Sequence, residues 1–356
     1  MSIFSLWETF HSVCFPRGFS VAFDPAIKMT SATPGGDCLL MNYLSGKTVS
    51  LIGGTGFVGR ALAGKLLKAG ARIIILARNA ERAKRLKTGG AIGQLTAIAG
   101  NAQDDSDLVS VISPADIVIN LVGILASSGQ QTFPALQAEL PVRIGRIAKE
   151  AGCQRIVHVS ALGAKLKSPS EYARTKAEGE RGLLRQFPDA TIMQPSIIFG
   201  PGDSFFNRFG QMAMFAPALP LIGGGKSLMQ PVYVCDVADA VLAALTKEEA
   251  KGQIYQLGGP QIYSFADLMR FTLTCVGRRR LLVPVPFSAA RLPAALCSLL
   301  PNPPLTLDQL KLLKVDNVCQ KSALGLTELG IMPTAIESVV PDYLTQFRPG
   351  GRFAPG

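Results

Sequence analysis

Tyr172 and Lys176 stand four residues apart in Tyr172-Ala173-Arg174-Thr175-Lys176. On a helix that spacing puts both side chains on one face. An ammonium beside a phenol favours the phenolate and draws its pKa down from about 10. Such a tyrosine can pass a proton to or from a carbonyl or alcohol oxygen. Ser160, closing an apolar run, has a hydroxyl that can hold the same oxygen. The three residues give a capacity for proton transfer; whether turnover occurs is a separate question that the motif leaves open.

A second constellation lies upstream. Gly53-Gly54-Thr55-Gly56-Phe57-Val58-Gly59 follows the apolar run Val49–Ile52 and precedes Val58, Leu62 and Leu66 at helical spacing. Strand, glycine loop and helix in that order form a dinucleotide loop: glycine lets the backbone turn tightly and approach a pyrophosphate, and the helix N-terminus offers free N–H groups to it. Lys176 then has a further use, bonding the nicotinamide ribose. About 20 residues past such a loop an NAD site usually offers a carboxylate to the ribose. This chain offers Leu76-Ala77-Arg78 instead, with Arg82, Lys84 and Arg85 close behind. A guanidinium pairs with a 2′-phosphate that a carboxylate would repel, so NADP(H) is expected over NAD(H).

The elements that must position these residues alternate. Short β-rich runs recur at Val49–Ile52, Ile73–Leu76, Leu95–Ile98, Ile117–Val122, Arg155–Ser160 and Thr191–Met193, with helix-like segments such as Val142–Ala151 and Lys176–Phe187 between them. That pattern predicts an α/β, Rossmann-type doubly wound parallel sheet covered on both faces. Ligands gather at the C-terminal ends of such strands. Asn101, Asn120, Val122, Gly123 and Pro195 follow or end strands and join Gly53, Thr55, Gly56, Phe57, Val58, Gly59 and Arg78 as expected cofactor contacts. Asp236 is expected to cap the helix-like Val237–Thr246, His158 to be a core residue, and Cys153 and Cys235 to pack.

After Phe199 prolines and glycines break the alternation. The expected organisation is an N-terminal extension at 1–44, a nucleotide-binding core at 45–199, a smaller mixed lobe at 200–345 with some elements returning to the core, and a loose tail at 346–356. The extension lacks a secretory pattern and is read either as a disordered tail or as sequence ahead of the true start codon.

The chain has 356 residues, 48% of them hydrophobic and 17% charged, enough for one large core and an attached lobe. The net charge of +11 suits acidic ligands, an acidic partner or an anionic membrane surface. Its basic residues are dispersed, apart from Arg278-Arg279-Arg280 and the group from Arg78 to Lys87, and lack interleaved aromatics, so no nucleic acid is expected. Seven cysteines without a CxxC pair and only two histidines argue for no metal and for a reducing compartment. The apolar runs Phe209–Ile222 and Val283–Leu300 are broken by prolines and too short to span a bilayer; the second could lie in core or on a membrane surface.

Several of these residues carry a resemblance. The glycine loop 53–59, His158-Val159-Ser160, Ser168-Pro169 ahead of Tyr172 and Lys176, Pro195, and Phe199-Gly200-Pro201-Gly202 resemble the extended and atypical short-chain dehydrogenase/reductases, the NAD(P)-dependent epimerase/dehydratase-like group. Four blocks narrow it: Asn120-Leu121-Val122-Gly123-Ile124-Leu125, Gly202-Asp203-Ser204-Phe205-Phe206-Asn207-Arg208-Phe209, Gln230-Pro231-Val232-Tyr233-Val234 and Leu300-Pro301-Asn302-Pro303-Pro304-Leu305-Thr306. These are similar to bacterial relatives of the nucleotide-binding accessory subunit of respiratory complex I. The resemblance spans Thr48 to Phe353.

It implies a bound NADPH, structural in the mitochondrial complex, and a place near the quinone-binding region. It also reaches relatives linked to ubiquinone synthesis. Two departures from sugar-nucleotide epimerases stand out: Ser160-Ala161-Leu162-Gly163 lacks their Tyr-Gly pair, and Gly100-Asn101 replaces an Asp that commonly contacts the adenine. The expectation is therefore an NADP(H)-binding accessory or assembly component of a respiratory complex I or quinone-linked system. Complex I or ubiquinone-synthesis proteins are its expected partners. It would be cytoplasmic, or peripheral on the inner face of the inner membrane (the matrix side in a eukaryote). The alternative is an active NAD(P)-dependent oxidoreductase or epimerase using Tyr172, Lys176 and Ser160 on a quinone-pathway intermediate or nucleotide sugar. A redox sensor that binds NADPH and signals through a partner is the third.

Overall fold

In the computed structural model, residues 42–79, 81, 86, 90–297 and 305–351 are described. Arg82, Lys84 and Arg85, the block 300–304 and the extension up to residue 41 lie outside them. Of the expected extension, residues 42–44 form a helical turn whose Leu44 is fully buried.

Seven parallel strands make the central sheet. They are β1 (Thr48–Ile52), β2 (Arg72–Ala77), β3 (Leu95–Ala99), β4 (Ile117–Asn120), β5 (Arg155–Val159), β6 (Thr191–Pro195) and β11 (Ile254–Leu257), in the order β11-β6-β5-β4-β1-β2-β3. The order reverses between β1 and β4, which is where a doubly wound sheet opens a crevice. Strands β4, β5 and β6 are buried at every position because helices cover both faces. The short strands β7 (Ile198–Phe199), β8 (Ala218–Ile222), β9 (Leu228–Met229), β10 (Val232–Tyr233), β12 (Tyr263–Ser264) and β13 (Leu281–Val285) form three two-stranded pairs outside this sheet.

The helices are α1 (Phe57–Lys68), α2 (Asp105–Ile112), α3 (Leu140–Glu150), α4 (Glu171–Gln186), α5 (Phe206–Phe215), α6 (Val234–Thr246), α7 (Phe265–Cys275), α8 (Phe287–Cys297), α9 (Leu307–Leu312) and α10 (Val340–Leu344). One apolar cluster joins β1, β2, α1 and α6, and another joins β4, α2, α3 and α4, one on each side of the sheet. A third fills the lobe around Phe199, Phe206 and Phe265, whose neighbours Phe205 and Phe209 meet them edge to face.

A π-helical turn, Pro134–Glu139, leads into α3. Pro141 has no N–H to donate to the Gln137 carbonyl four residues back, which favours widening the helix there. That carbonyl comes against α4 at Gly179, where a Cβ would lie 1.9 Å from the oxygen. The expected loose tail is anchored at its start: Gln346 bonds Asn207, Arg278 donates to the Phe347 carbonyl, and Arg348 donates to the Cys275 carbonyl.

Candidate dinucleotide site

The glycine loop closes tightly between β1 and α1. Gly53 takes a φ of 86°, a left-handed conformation that a side chain disfavours. A Cβ there would lie 3.1 Å from the Leu121 carbonyl carbon, so the loop after β1 rests on the loop after β4. At Gly59 a Cβ would lie 2.5 Å from the Gly54 oxygen, which fixes how closely α1 approaches β1. Helix α1 begins at Gly56 with no side-chain cap and no acidic residue in its first turn. Its N-terminus therefore keeps the partial positive charge and donors that suit an anion. Gly56 is exposed and Thr55 half-buried, whereas Phe57 and Val58 pack their side chains against the lobe.

Arg78 is exposed just past the end of β2. At the end of β3, Asn101 is exposed; its N–H donates to Asp107 at 2.7 Å and its side-chain oxygen accepts from Gln103 at 3.1 Å. Asp107 was not among the sequence candidates, yet its carboxylate lies at this strand end. Asn120 is buried. Its side chain accepts from the Val122 N–H at 3.1 Å and meets His158 Nδ1 at 3.1 Å. This bond turns the chain and ends β4 two residues before the expected Val122. With Nδ1 accepting, the imidazole carries its proton on Nε2, which finds no partner. Burial, with the charge of Lys176, holds His158 well below its ordinary value. Pro195 is buried, and its carbonyl accepts from Leu162 at 2.9 Å.

Ser170 caps α4. Lys176 is only 2% exposed; its amine donates to the Val159 carbonyl at 3.3 Å and lies beside Gly123, where a Cβ would be 3.5 Å from Nζ. The ends of β1, β4 and β5 and the face of α4 thus meet around one cleft. Burial pulls the Lys176 ammonium down to about 8, opposed by the Glu180 carboxylate. Tyr172 is half-buried, edge-on to Phe133 at 5.9 Å. Burial pushes its phenol up to about 12. The lowered tyrosine expected from the sequence is therefore corrected: the ammonium is itself depressed by burial and bonded to Val159, and desolvation governs the phenol.

Sequence reasoning missed the buried polar layer beneath. Burial raises Glu180, opposed by Ser160, Gln194 and Lys176. Gln194 donates to both its oxygens. The Ser160 hydroxyl is buried without a hydrogen bond of good geometry, although it lies near enough to Glu180 to lower it. Gln137 accepts from Thr175 at 3.0 Å and donates to the Ile124 carbonyl at 2.8 Å, clipping the loop after β4 to α4. A glutamate four residues after Lys176, and a glutamine inside a strand buried throughout, were the available signals.

Asp236 is not the expected helix cap. It sits in the first turn of α6 and binds Thr334 through both backbone N–H, at 2.7 Å, and hydroxyl, at 2.9 Å. Cys153 is buried and pushed to about 11; burial likewise raises Cys235.

The sheet order, the glycine cradle and the uncapped α1 together define a doubly wound α/β protein with a dinucleotide-type crevice. The chain belongs to the NAD dependent epimerase/dehydratase family, which matches residues 49–258. It is 33% identical over 320 residues to the mitochondrial NADH dehydrogenase (ubiquinone) 1 alpha subcomplex subunit 9 of Arabidopsis thaliana, covering 86% of this chain and 80% of that one. The Mus musculus protein of the same name is 33% identical over 308 residues, covering 86% and 81%. Among solved structures, gox2253 superposes with a TM-score of 0.65 at 22% identity over 86% of this chain and 100% of that chain, a likeness of fold.

Proposed function

We propose that this protein is an NADP(H)-binding accessory or assembly component of a respiratory complex I or quinone-linked system, held peripherally on the inner face of the inner membrane. The observation that carries the nucleotide reading is the cradle itself: glycines 53, 56 and 59 with the uncapped N-terminus of α1 leave room and donors for a pyrophosphate. Thr55, Phe57 and Val58 would contribute backbone, and Arg78 would meet the 2′-phosphate. Asn101 would face the adenine side. Asn120, Val122 and Gly123 would border the middle of the cofactor. Lys176 and Tyr172 would reach the nicotinamide ribose, with Pro195 beyond. When bound, the nicotinamide supplies a hydride donor or acceptor.

Similarity to complex I subunits along most of the chain supports the partner. A peripheral position is supported by exposed apolar side chains in the segment that follows the exposed Arg279. Leu281 is 72% exposed on β13, and Leu292 and Leu296, one turn apart on α8, are 70% and 61% exposed. Among the described residues no helix is long and apolar enough to cross a membrane.

The accessory reading is favoured over a free enzyme by the similarity to complex I subunits along most of the chain. One observation favours the oxidoreductase or epimerase reading: the Ser160 hydroxyl lies just past the end of β5 with no hydrogen bond of good geometry, beside the Glu180 carboxylate. In that reading Tyr172 would give its proton to the oxygen that Ser160 holds.

The test is purification from the protein's own membranes and cytosol, with identification of bound nucleotide and its oxidation state before and after quinone or carbonyl addition. Unconsumed NADPH on a protein that co-migrates with a large membrane complex is expected. Nucleotide that exchanges and turns over in a free protein would overturn the accessory reading.

A further inference from the structure

The helix carrying Tyr172 and Lys176 is completed by a residue far along the chain. Asp308, on α9, accepts three hydrogen bonds at the start of α4: from the Ser170 hydroxyl at 2.6 Å, the Glu171 N–H at 2.9 Å and the Tyr172 N–H at 3.0 Å. Ser170 in turn accepts from the Ala173 N–H at 3.3 Å, so two side chains share the donors at this helix end. A carboxylate there also meets the positive end of the helix dipole. Burial pushes the Asp308 carboxyl up, but the bonds from Ser170, Tyr172 and Glu171 and the charge of Lys311 outweigh it and hold it low.

Asp308 does not act as a local cap. Its own helix starts at Thr306, which forms a capping box with Gln309. The segment that follows is tied to other loops at the same sheet edge. Asn317 accepts from Ser196 at 2.6 Å and donates to the Leu162 carbonyl at 3.4 Å, and Asp316 accepts from the Leu228 N–H at 2.8 Å. Residues 306–317 therefore strap the loops after β5 and β6, and Asp308 is the point where this strap grips the site helix.

We propose that Asp308 is a positioning residue: by gripping Ser170, Glu171 and Tyr172 it sets where Tyr172 and Lys176 stand and couples the dinucleotide cleft to the strap. The coupling to nucleotide rests on the reading given above; the grip on α4 does not. Without Asp308 the Ser170 cap remains, but the Glu171 and Tyr172 N–H groups lose their acceptor and the first turn frays, so losing Asp308 moves the phenol and, through the helix, the amine.

The test compares Asp308→Ala, Asp308→Asn and Asp316→Ala in the full chain. Asp316 belongs to the same strap but bonds Leu228, away from α4, and so reports general loosening. Amide hydrogen exchange at Glu171 and Tyr172 is measured without nucleotide, and NADPH affinity by nucleotide fluorescence. Asp308→Ala should speed exchange at both amides about tenfold and weaken NADPH about tenfold. Asp308→Asn, which keeps one acceptor oxygen, should recover part of both, and Asp316→Ala should change neither. Unchanged exchange in Asp308→Ala, unchanged affinity, or equal weakening by Asp316→Ala overturns the proposal. If the wild-type chain binds no nucleotide, the dinucleotide reading falls, and exchange at Glu171 and Tyr172 alone decides the grip.

Discussion

Gln194, on β6, donates its side-chain amide to both carboxylate oxygens of Glu180, at 2.9 and 3.0 Å, one helical turn along α4 from Lys176. The pair fixes a negative charge below the cleft, and that charge keeps Lys176 from falling further than about 8. Between about 8 and its ordinary 10.5, the unfolded chain binds a proton that the folded lysine has released. Stability from this group therefore rises with pH across that window, and burying it charged costs stability below about 8. Glu180→Gln removes the opposing charge, so the folded value drops and the rise should begin at lower pH. Melting temperature followed from pH 6 to 10 checks this (the range brackets Lys titration). Parallel wild-type and variant profiles would show that Glu180 does not set Lys176.

Arg78 stands exposed at the end of β2, where a 2′-phosphate would arrive. Arg78→Ala should weaken NADPH about tenfold or more and leave NADH nearly unchanged, since a bidentate charged pair is lost only for the phosphorylated ribose. Fluorescence titration with both nucleotides measures the ratio. Equal weakening would mean that Arg78 does not read the phosphate.

Tyr172→Phe removes a hydroxyl and keeps the ring that Phe133 meets edge to face. With the phenol pushed up to about 12, the hydroxyl serves as a neutral hydrogen-bond group at pH 7. The variant should bind NADPH with less than about a tenfold change and still co-migrate with its complex. Loss of a measurable turnover in this variant would instead favour the enzyme.

Gly179→Ala places a methyl 1.9 Å from the Gln137 carbonyl oxygen. Backbone cannot yield as a side chain does, so α4 and the π turn must separate, at a cost of roughly 1–3 kcal/mol. Denaturant unfolding measures it. Gly152→Ala offers the contrast, because a Cβ there has no neighbour within 4 Å, although its φ of 73° still strains the backbone.

Strands β1 to β6 could be read from the sequence because each is an apolar run bounded by loops, as a sheet covered on both faces requires. Strand β11 was lost in a region punctuated by proline and glycine: Ile254-Tyr255-Gln256-Leu257 is too short to stand out, and only pairing with β6 makes it part of the sheet. The cleft residues were legible where a residue type answers a local need, as at Gly53 and Gly59. Their orientation was not. Tyr172 and Lys176 share a helix face as the spacing requires, but burial sets their proton affinities, and burial comes from Phe133, Val159 and the loop at Gly123. Gln137 and Asp308 act across the fold and have no local signature.

The grip of Asp308 on Tyr172 also orders events in time. The two lie 136 residues apart. At about 5–20 residues per second, the ribosome delivers Asp308 some 7–27 seconds after Tyr172. The sheet strands up to Leu257 and the glycine loop are already made by then, while α4 waits with its first turn unfinished. On the nascent chain the Glu171 and Tyr172 N–H groups therefore gain their acceptor only when the C-terminal third arrives.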